Sequence, residues 1–435
     1  MVASPNGSVS GQTLYRPLKE GDIRVLCLEP GVSGAPLRCA LEHVSLQLVA
    51  QRKQSPPSGE SGSEGRALRS HGRSAALFTP DVYRTSNITS YEAISYTWGE
   101  PIFSRQLVVD STHKLGITES LYLALQQFRL PHEVRVLWAD AVCINQGDNA
   151  EKSEQVNGMA EIYSTAYAIL VWLGTSDDSD ALAFATIHAL AAVEEELVDY
   201  RDHFSFESRA DIWRVDARLR GSFACDCCGE GFAPDEIFAL ACDKVYALAI
   251  QECSAFTLDE SSALTLDETF KTALRGHELL VPNQPEIIRC SIAAVLDLFR
   301  SPWFTRLWVI QEAAVNNQVS EYNEGLWYYK GSHRASAQQF LSTLAAIRRS
   351  MVDNPFRTQH AYRDYVEEWL RVIYPDDFVD QENFPMSSAF WLTYAALIRR
   401  RCGDPRDRVY AIRSYMELDH FDELTPDYNI SVSEL

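Results

Sequence analysis

The sequence lacks the features by which several large classes of protein are recognised. It has no basic excess, because 39 Lys and Arg face 60 Asp and Glu, for a formal net charge of −21. Nucleic acid and anionic membranes both attract basic surfaces, so neither is expected as the main partner. No apolar run is long enough to span a bilayer, and the first residues lack the apolar segment of a signal peptide. We therefore expect a cytoplasmic protein without a membrane span.

Two motif classes are also missing. The chain has no GxGxxG fingerprint, so a Rossmann dehydrogenase is not indicated, and no cofactor is expected. Ten cysteines are scattered through 435 residues, which is typical of reduced thiols rather than a disulfide framework. Cys225, Cys227 and Cys228 are clustered, but the second Cys/His pair of a zinc site is absent. Free thiols are the preferred interpretation and a metal site the alternative.

The N-terminal part of the chain predicts a β-hairpin. Residues 23–31 and 36–49 alternate apolar and polar side chains around a turn that is rich in Pro, Gly and Ser. Residues 54–74 contain mostly Ser, Gly, Pro and charged residues, which cannot bury enough surface to order themselves. This part of the chain is therefore predicted to be a flexible insertion.

Strand and helix patterns then alternate. Residues 91–99, 134–140 and 168–174 are predicted strands, two of them nearly continuous in apolar residues, as when both faces of a sheet are covered. Residues 121–128 have a helical pattern. This order indicates an α/β fold with a mainly parallel sheet flanked by helices.

One more helix is predicted to begin at Asp148. Glu151 follows three residues later, an arrangement typical of a capping box. Val156, Met159 and Tyr163, together with Ala160, supply one apolar face for a single helix.

The predicted organisation has six parts. They are a lead and hairpin at 1–50, a flexible insertion at 51–80, the first part of the core at 81–175, an acidic helical insertion at 176–284, the second part of the core at 285–330, and a mainly helical C-terminal region at 331–435.

The segment SPWFTRLWVIQEAAV, residues 301–315, is predicted to form one helix. Ser301 can cap it, and Pro302 suits its first position. The segment is apolar around most of its circumference, so it is expected to be buried. A buried Glu312 must pair with a base, raise its pKa or face a cleft. An ion pair with Arg306 or with a distant Arg is the structural interpretation.

Three long blocks resemble the fungal heterokaryon-incompatibility (HET) domain. They are YEAISYTWGEP, LWADAVCINQGDNAEKSEQVNGMAEIYSTAYAILVWLG and SPWFTRLWVIQEAAV, and the later DPRDRVYAI resembles a segment that often follows them. Lys152 stands where the family usually has Arg. The resemblance implies non-self recognition between fused fungal cells that ends in programmed cell death. HET domains are held to be distant relatives of TIR domains, which implies a TIR-like (flavodoxin-like) sheet.

The TIR resemblance also implies a reaction. WVIQE, residues 308–312, is similar to the TIR signature of a Trp followed four positions later by a Glu, and that Glu cleaves the nicotinamide–ribose bond of NAD. The resemblance thus makes Glu312 the candidate catalytic residue and Trp308 a substrate contact, with NAD or a related nucleotide as substrate. TIR-like enzymes commonly self-associate, so a homo-oligomer is expected, together with a possible incompatibility partner protein. The alternative is a non-enzymatic module that signals death by assembling with copies or partners.

Ligands of open α/β sheets bind beyond the carboxyl ends of the strands. That edge is expected to present Trp98, Gly99, Asp140, Asn145 and Gln146 as substrate-binding residues. Trp98 can stack on a base or on nicotinamide, and Asp140 or Asn145 can bind ribose hydroxyls.

The polar and aromatic residues at this edge can also have a purely structural role. Trp98 and Trp172 can be core aromatics, Asn145 and Gln146 can close a turn, and Asp140 can cap local amides. Cys143 has no His at an activating spacing, so it is expected to pack in the core.

Overall fold

The computed structural model describes residues 14–54, 88–177, 180–188, 191, 294–314, 325–352, 400–413 and 425–434. These residues belong to two compact units. The first contains 14–54, 88–175, 302–314, 325–332, 400–413 and 425–434, and the second contains the remainder. The predicted insertion at 54–74 lies, beyond Gln54, outside the described residues, as does the cluster of Cys225, Cys227 and Cys228.

Eight strands are present in the described part of the first unit. They are β1 (Asp22–Leu28), β2 (Arg38–Ser45), β3 (Glu92–Tyr96), β4 (Arg105–Val109), β5 (His113–Ile117), β6 (Arg135–Trp138), β7 (Ala168–Trp172) and β8 (Gly325–Lys330). They lie side by side in the order β5-β4-β2-β1-β6-β3-β7-β8. The described helices of the chain are α1 (Leu46–Gln54), α2 (Glu119–Phe128), α3 (Asp140–Cys143), α4 (Asn149–Asn157), α5 (Met159–Thr165), a 3₁₀ helix (Pro302–Thr305), α6 (Val309–Ala314), α7 (Ala337–Val352) and α8 (Asp407–Arg413).

The sheet has a parallel half and a mixed half. Strands β6, β3, β7 and β8 are parallel, whereas β1 runs antiparallel to both β2 and β6. Strand β2 is parallel to β4, which is antiparallel to β5. The α/β class is confirmed, but a mainly parallel sheet is wrong. The sheet is mixed because the N-terminal hairpin adds β1 in the antiparallel sense beside β6.

The strands with strong apolar patterns lie where the sequence predicts them. All five residues of β7 are buried, as expected for a strand that is covered on both faces. The predicted hairpin forms from β1 and β2, but residues 46–49 begin α1 rather than extend the second strand. The hairpin of β4 and β5 was not predicted. Its turn uses Asp110 and Ser111 at positive φ instead of the usual Asn-Gly or Asp-Gly.

The single helix predicted after Asp148 is two helices, because the chain breaks at Gly158 between α4 and α5. Asp148 does cap α4, accepting from the amides of Ala150 and Glu151. The reciprocal half of the capping box is wrong. The Glu151 carboxylate accepts instead from the amide of Asn145, at 2.7 Å.

The continuous helix predicted over 301–315 is also wrong. The chain forms a 3₁₀ helix at Pro302–Thr305 and then α6, with Arg306 between them. A backbone bridge to Arg401 interrupts the helix. The Arg401 amide donates to the carbonyl of Thr305 at 2.7 Å, and the Leu307 amide donates to the carbonyl of Arg401 at 2.9 Å. These two hydrogen bonds compete with the pattern that a continuous helix requires.

The described part of the second unit contains four secondary-structure elements. Residues 180–188 and 294–298 are helical, a short strand spans His333–Ser336, and α7 follows it. Phe299 and Phe340 pack together, with their ring centroids 5.4 Å apart. In neither unit do the described helices include one that is long and apolar enough to cross a bilayer.

Candidate functional site

Two candidate residues meet where the parallel strands β3 and β6 end. Trp98 follows β3, Asp140 follows β6, and the indole N–H of Trp98 donates to Oδ2 of Asp140 at 2.9 Å. The amide of Ala141 donates to Oδ1 at 2.8 Å. Adjacent parallel strands bring their carboxyl ends to one edge, which explains the contact. Asp140 therefore both caps a local amide and orients Trp98.

The other predicted residues at this edge make mainly local contacts. The Gln146 side chain donates to the Asp140 carbonyl at 2.9 Å, and the Asn145 side chain accepts from the amide of Gly147. Both contacts stabilise a turn, as the structural alternative proposed. Gly99 is exposed and has φ of 74°, a backbone conformation that favours glycine. Ligand binding by these three residues stays a prediction.

Glu312 is 1% exposed, and the side chains of Ser95 and Arg306 contact its carboxylate. Ser95, near the end of β3, donates a short hydrogen bond from its hydroxyl to Oε2 of Glu312. The indole of Trp303 donates to Oγ of Ser95 at 2.6 Å, which orients that hydroxyl. Nη2 of Arg306 lies 3.5 Å from Oε1 of Glu312. The ion pair named as the structural interpretation of Glu312 is present.

Arg306 connects Glu312 to the strand edge, because it interacts with both Asp140 and Glu312. Burial raises the pKa of each carboxyl group, while the Arg306 guanidinium opposes that shift in both. The two carboxylates also repel each other, which raises the pKa of Glu312 further. Burial alone would lower the pKa of Arg306, but Glu312 and Asp140 raise it. Two acids therefore share one cation at this edge.

Tyr96 and Tyr163 enclose the same group of charges. Burial raises the pKa of both phenols, with Asp140 adding to the shift in Tyr96 and Glu312 to that in Tyr163. The Tyr163 hydroxyl donates to the carbonyl of Ile94 at 3.4 Å. The Tyr96 hydroxyl interacts with the carboxylate of Asp140 through a side-chain hydrogen bond.

Trp308 contacts a different carboxylate, that of Asp407 at the start of α8. The hydroxyl of Tyr428 also donates to the Asp407 carboxylate, at 2.7 Å. Nζ of Lys152, the departure from the family pattern, lies 3.9 Å from the ring centroid of Tyr428. A cation over a tyrosine ring is stabilising, and Lys supplies this contact in place of Arg. A substrate-binding role for Trp308 stays a prediction.

Trp172 and Cys143 pack in the core, as their structural interpretations proposed. Trp172 contacts Phe128 edge to face, with ring centroids 5.9 Å apart. Cys143 is buried, and burial raises the pKa of its thiol to about 12. A protonated thiol is a poor nucleophile. In the described part of the chain, no group of three or more His, Cys, Asp or Glu is placed to hold a metal ion.

A buried ion pair supports the turn that carries Asn145 and Gln146. Arg24 of β1 contacts both carboxylate oxygens of Glu151, at 2.5 and 2.8 Å. Arg24 also donates to the carbonyls of Cys143 and Arg16. Sequence patterns missed this pair because its members lie far apart in the chain. An Arg inside the otherwise apolar β1 was the available signal, since such a residue needs a buried partner.

Residues 91–222 match the family model described as "Heterokaryon incompatibility protein (HET)". Residues 91–222 are therefore similar to a HET domain. The matched segment includes Ser95, Trp98 and Asp140, whereas Arg306 and Glu312 lie beyond it. Arg306 and Glu312 thus contact residues of the matched segment only in the folded chain. Ser95, Asp140, Arg306 and Glu312 are together called the charge cluster.

The chain is also similar to "Heterokaryon incompatibility protein 6, OR allele" of Neurospora crassa, with 38% identity over 161 residues. The aligned residues cover 32% of this chain and 23% of that protein, so the chain spans less than a quarter of the relative that it matches. No solved structure matches the chain.

The cluster has the chemical groups of a site that stabilises positive charge. Glu312 and Asp140 supply two carboxylates, and Arg306 neutralises only one of them when both are ionised. Trp98 offers an aromatic face at the rim, where its side chain is half-buried. A fixed carboxylate in a buried site can stabilise a developing cation far more strongly than water does.

Proposed function

We propose that this chain acts in fungal non-self recognition that ends in cell death, and that it cleaves NAD at the nicotinamide–ribose bond through Glu312. The HET domain and the incompatibility protein of Neurospora crassa support the biological role. A TIR-like sheet is part of the same proposal. The observation that carries the chemistry is the buried Glu312, held by Ser95 and Arg306 beside Asp140.

The proposed reaction breaks the bond between C1′ of ribose and the pyridinium nitrogen. Nicotinamide leaves as a neutral molecule with the bonding electrons, and the ribose becomes an oxocarbenium-like cation. The Glu312 carboxylate stabilises this cation, water attacks C1′, and a proton is released. Ser95 and Trp303 fix one oxygen of the carboxylate, so the geometry is formed before substrate binds.

Access to Glu312 requires a movement. Glu312 is 1% exposed and Arg306 is 17% exposed, so Arg306 lies nearer the solvent. Movement of the Arg306 side chain, which would open a path to Glu312, is therefore part of the proposal. Self-association of the chain is proposed to accompany this change, in keeping with the expected homo-oligomer.

The test is release of nicotinamide from NAD by the concentrated 435-residue chain, compared with Glu312→Gln. Gln keeps the size of the side chain and removes its charge, and Glu154→Gln at an exposed position of α4 is the matched control. Release by the wild type and the control but not by Glu312→Gln is expected. Equal release by all three proteins would contradict the role of Glu312. Sedimentation velocity on the same samples tests the homo-oligomer, and activity from a strict monomer would contradict it.

The burial of Glu312 favours a second candidate, a death-signalling module without enzymatic activity that assembles with copies or with a partner protein. In that case the ion pair of Glu312 and Arg306 only stabilises the fold. This function would be supported if the wild type, Glu312→Gln and Glu154→Gln all failed to release nicotinamide, even under crowding.

A further inference from the structure

The segment DPRDRVYAI, residues 404–412, supplies none of the residues of the charge cluster, yet it is tied to the rest of the first unit by several hydrogen bonds. Nη1 of Arg406 donates to the carbonyls of Tyr428 and Ile430, at 2.8 and 2.7 Å. Two stretches of chain are therefore joined here. Together they are called the brace, which consists of residues 400–413 and 425–434.

Tyr428 fixes the brace to α4. The hydroxyl of Ser153, on α4, accepts from the amide of Tyr428 at 3.0 Å. Two cations lie against the Tyr428 ring, with Nζ of Lys152 3.9 Å and the guanidinium carbon of Arg406 5.0 Å from its centroid. Both contacts are stabilising. The ring is buried, and its hydroxyl is directed at Asp407.

The brace also holds the backbone that precedes α6. Nη1 of Arg400 donates a short hydrogen bond to the carbonyl of Phe304. The two backbone hydrogen bonds of Arg401, described above, join the brace to residues 305–307. Because these groups are bound on both sides of Arg306, the position of the break depends on the brace.

A chain of contacts leads from the brace to Glu312. The Asp407 carboxylate accepts from the Tyr428 hydroxyl at 2.7 Å and from the indole of Trp308. The carbonyl of Trp308 then accepts from the amide of Glu312 at 3.1 Å. Tyr428, Asp407 and Trp308 are thus connected to the first turn of the helix that carries Glu312.

Helix α6 needs such external support. It has six residues, so few hydrogen bonds lie within it, and a helix of this length is not stable by itself. Its orientation is therefore set by contacts with other parts of the chain. A catalytic carboxylate has to be held within about 0.5 Å of its productive position, so contacts at the start of α6 matter for Glu312.

We infer that Asp407 is a positioning residue for Glu312, which fixes Trp308 and with it the first turn of α6, while Tyr428 holds Asp407 in place. The consequence for NAD cleavage rests on the proposed function. The dependence of the charge cluster on Asp407 rests on the contacts alone. The inference also gives Lys152 a role, because Lys152 lies against the ring of Tyr428.

The first experiment measures the charge cluster without any substrate. The indole N–H of Trp303 donates to Ser95 beside Glu312, so its NMR resonance reports on the cluster. The 435-residue chain is labelled on its nine tryptophans, and Trp303→Phe assigns the resonance by its loss. Asp407→Ala and Tyr428→Phe are each expected to shift this resonance by more than its linewidth. Tyr428→Phe keeps the test valid if Asp407→Ala does not fold.

Thr118→Ala is the matched control. Thr118 is buried and caps α2 by accepting from the amide of Leu121. Its loss is expected to lower the thermal midpoint and to leave the Trp303 resonance unchanged, because a cap on α2 has no part in the contacts that lead to Glu312.

The second experiment measures release of nicotinamide from NAD by the same folded proteins. A misplaced Glu312 stabilises the transition state less and leaves substrate binding intact. Asp407→Ala is therefore expected to lower kcat about tenfold, with KM for NAD changed less than about twofold. Thr118→Ala is expected to retain the wild-type kcat and KM.

Three results would overturn the inference. They are an unchanged Trp303 resonance in both brace variants, an equal shift in Thr118→Ala, and a rise in KM with kcat unchanged in Asp407→Ala. The proposed reaction fails separately, through the absence of nicotinamide release from the wild type. A shifted resonance without any release would keep the positioning role and contradict only the reaction.

Discussion

Removal of Glu151 is expected to be among the most destabilising single changes at the sheet edge. Arg24 is 1% exposed and Glu151 is 12% exposed, and two short contacts join them. Glu151→Ala leaves the buried guanidinium with backbone carbonyls as partners and without a counter-charge. Breaking such a pair typically costs about 3–5 kcal/mol. The amide of Asn145 also loses its acceptor, which places the expected loss in the upper part of this range.

The assay is urea unfolding followed by tryptophan fluorescence. Glu154→Ala, at an exposed position on the same helix, is the matched control and is expected to change stability by less than about 0.5 kcal/mol. The double variant Arg24→Met, Glu151→Leu is expected to recover most of the loss, because apolar residues of similar size often replace a buried ion pair without cost. A loss below about 1 kcal/mol in Glu151→Ala would refute this reasoning, since the pair would then behave like an exposed one.

Three further predictions concern stability. Burial is the main cause that raises the pKa of Glu312 in the folded chain above its usual 4.5. Protonated Glu312 therefore stabilises the fold, and this contribution to the free energy of unfolding is complete below pH 4.5 and is lost as pH rises through the folded-state pKa. Thermal midpoints between pH 5 and 8 should therefore fall more for wild type than for Glu312→Gln, and parallel curves would contradict this. Tyr428→Phe deprives the buried Asp407 of a donor and should cost about 1–3 kcal/mol in urea unfolding, while a neutral result would mean that other donors suffice. The ion pair of Arg105 and Glu119 has both side chains 47% exposed, so Arg105→Ala should leave the unfolding midpoint unchanged, and a clear decrease would contradict that.

Much of the sheet edge follows from local patterns. The segments that became β3, β6 and β7 are apolar runs ended by polar or glycine residues, and such runs form buried strands wherever they lie. Because parallel neighbours end at one edge, the contact between Trp98 and Asp140 could be anticipated. The breaks at Gly158 and Arg306 could not, since apolar periodicity continues across both.

The sequence by itself determined the α/β class, the HET resemblance and the choice of Glu312 as the central acid, because each depends on residues close together in the chain. Only the tertiary structure decided what surrounds Glu312. Ser95, Arg306 and Asp140 come from three separate segments, and Arg306 reaches the acid because Arg401 interrupts a helix that the local sequence favours. Local periodicity carries no information about such long-range backbone bridges, whereas the folded chain gains hydrogen bonds by forming them.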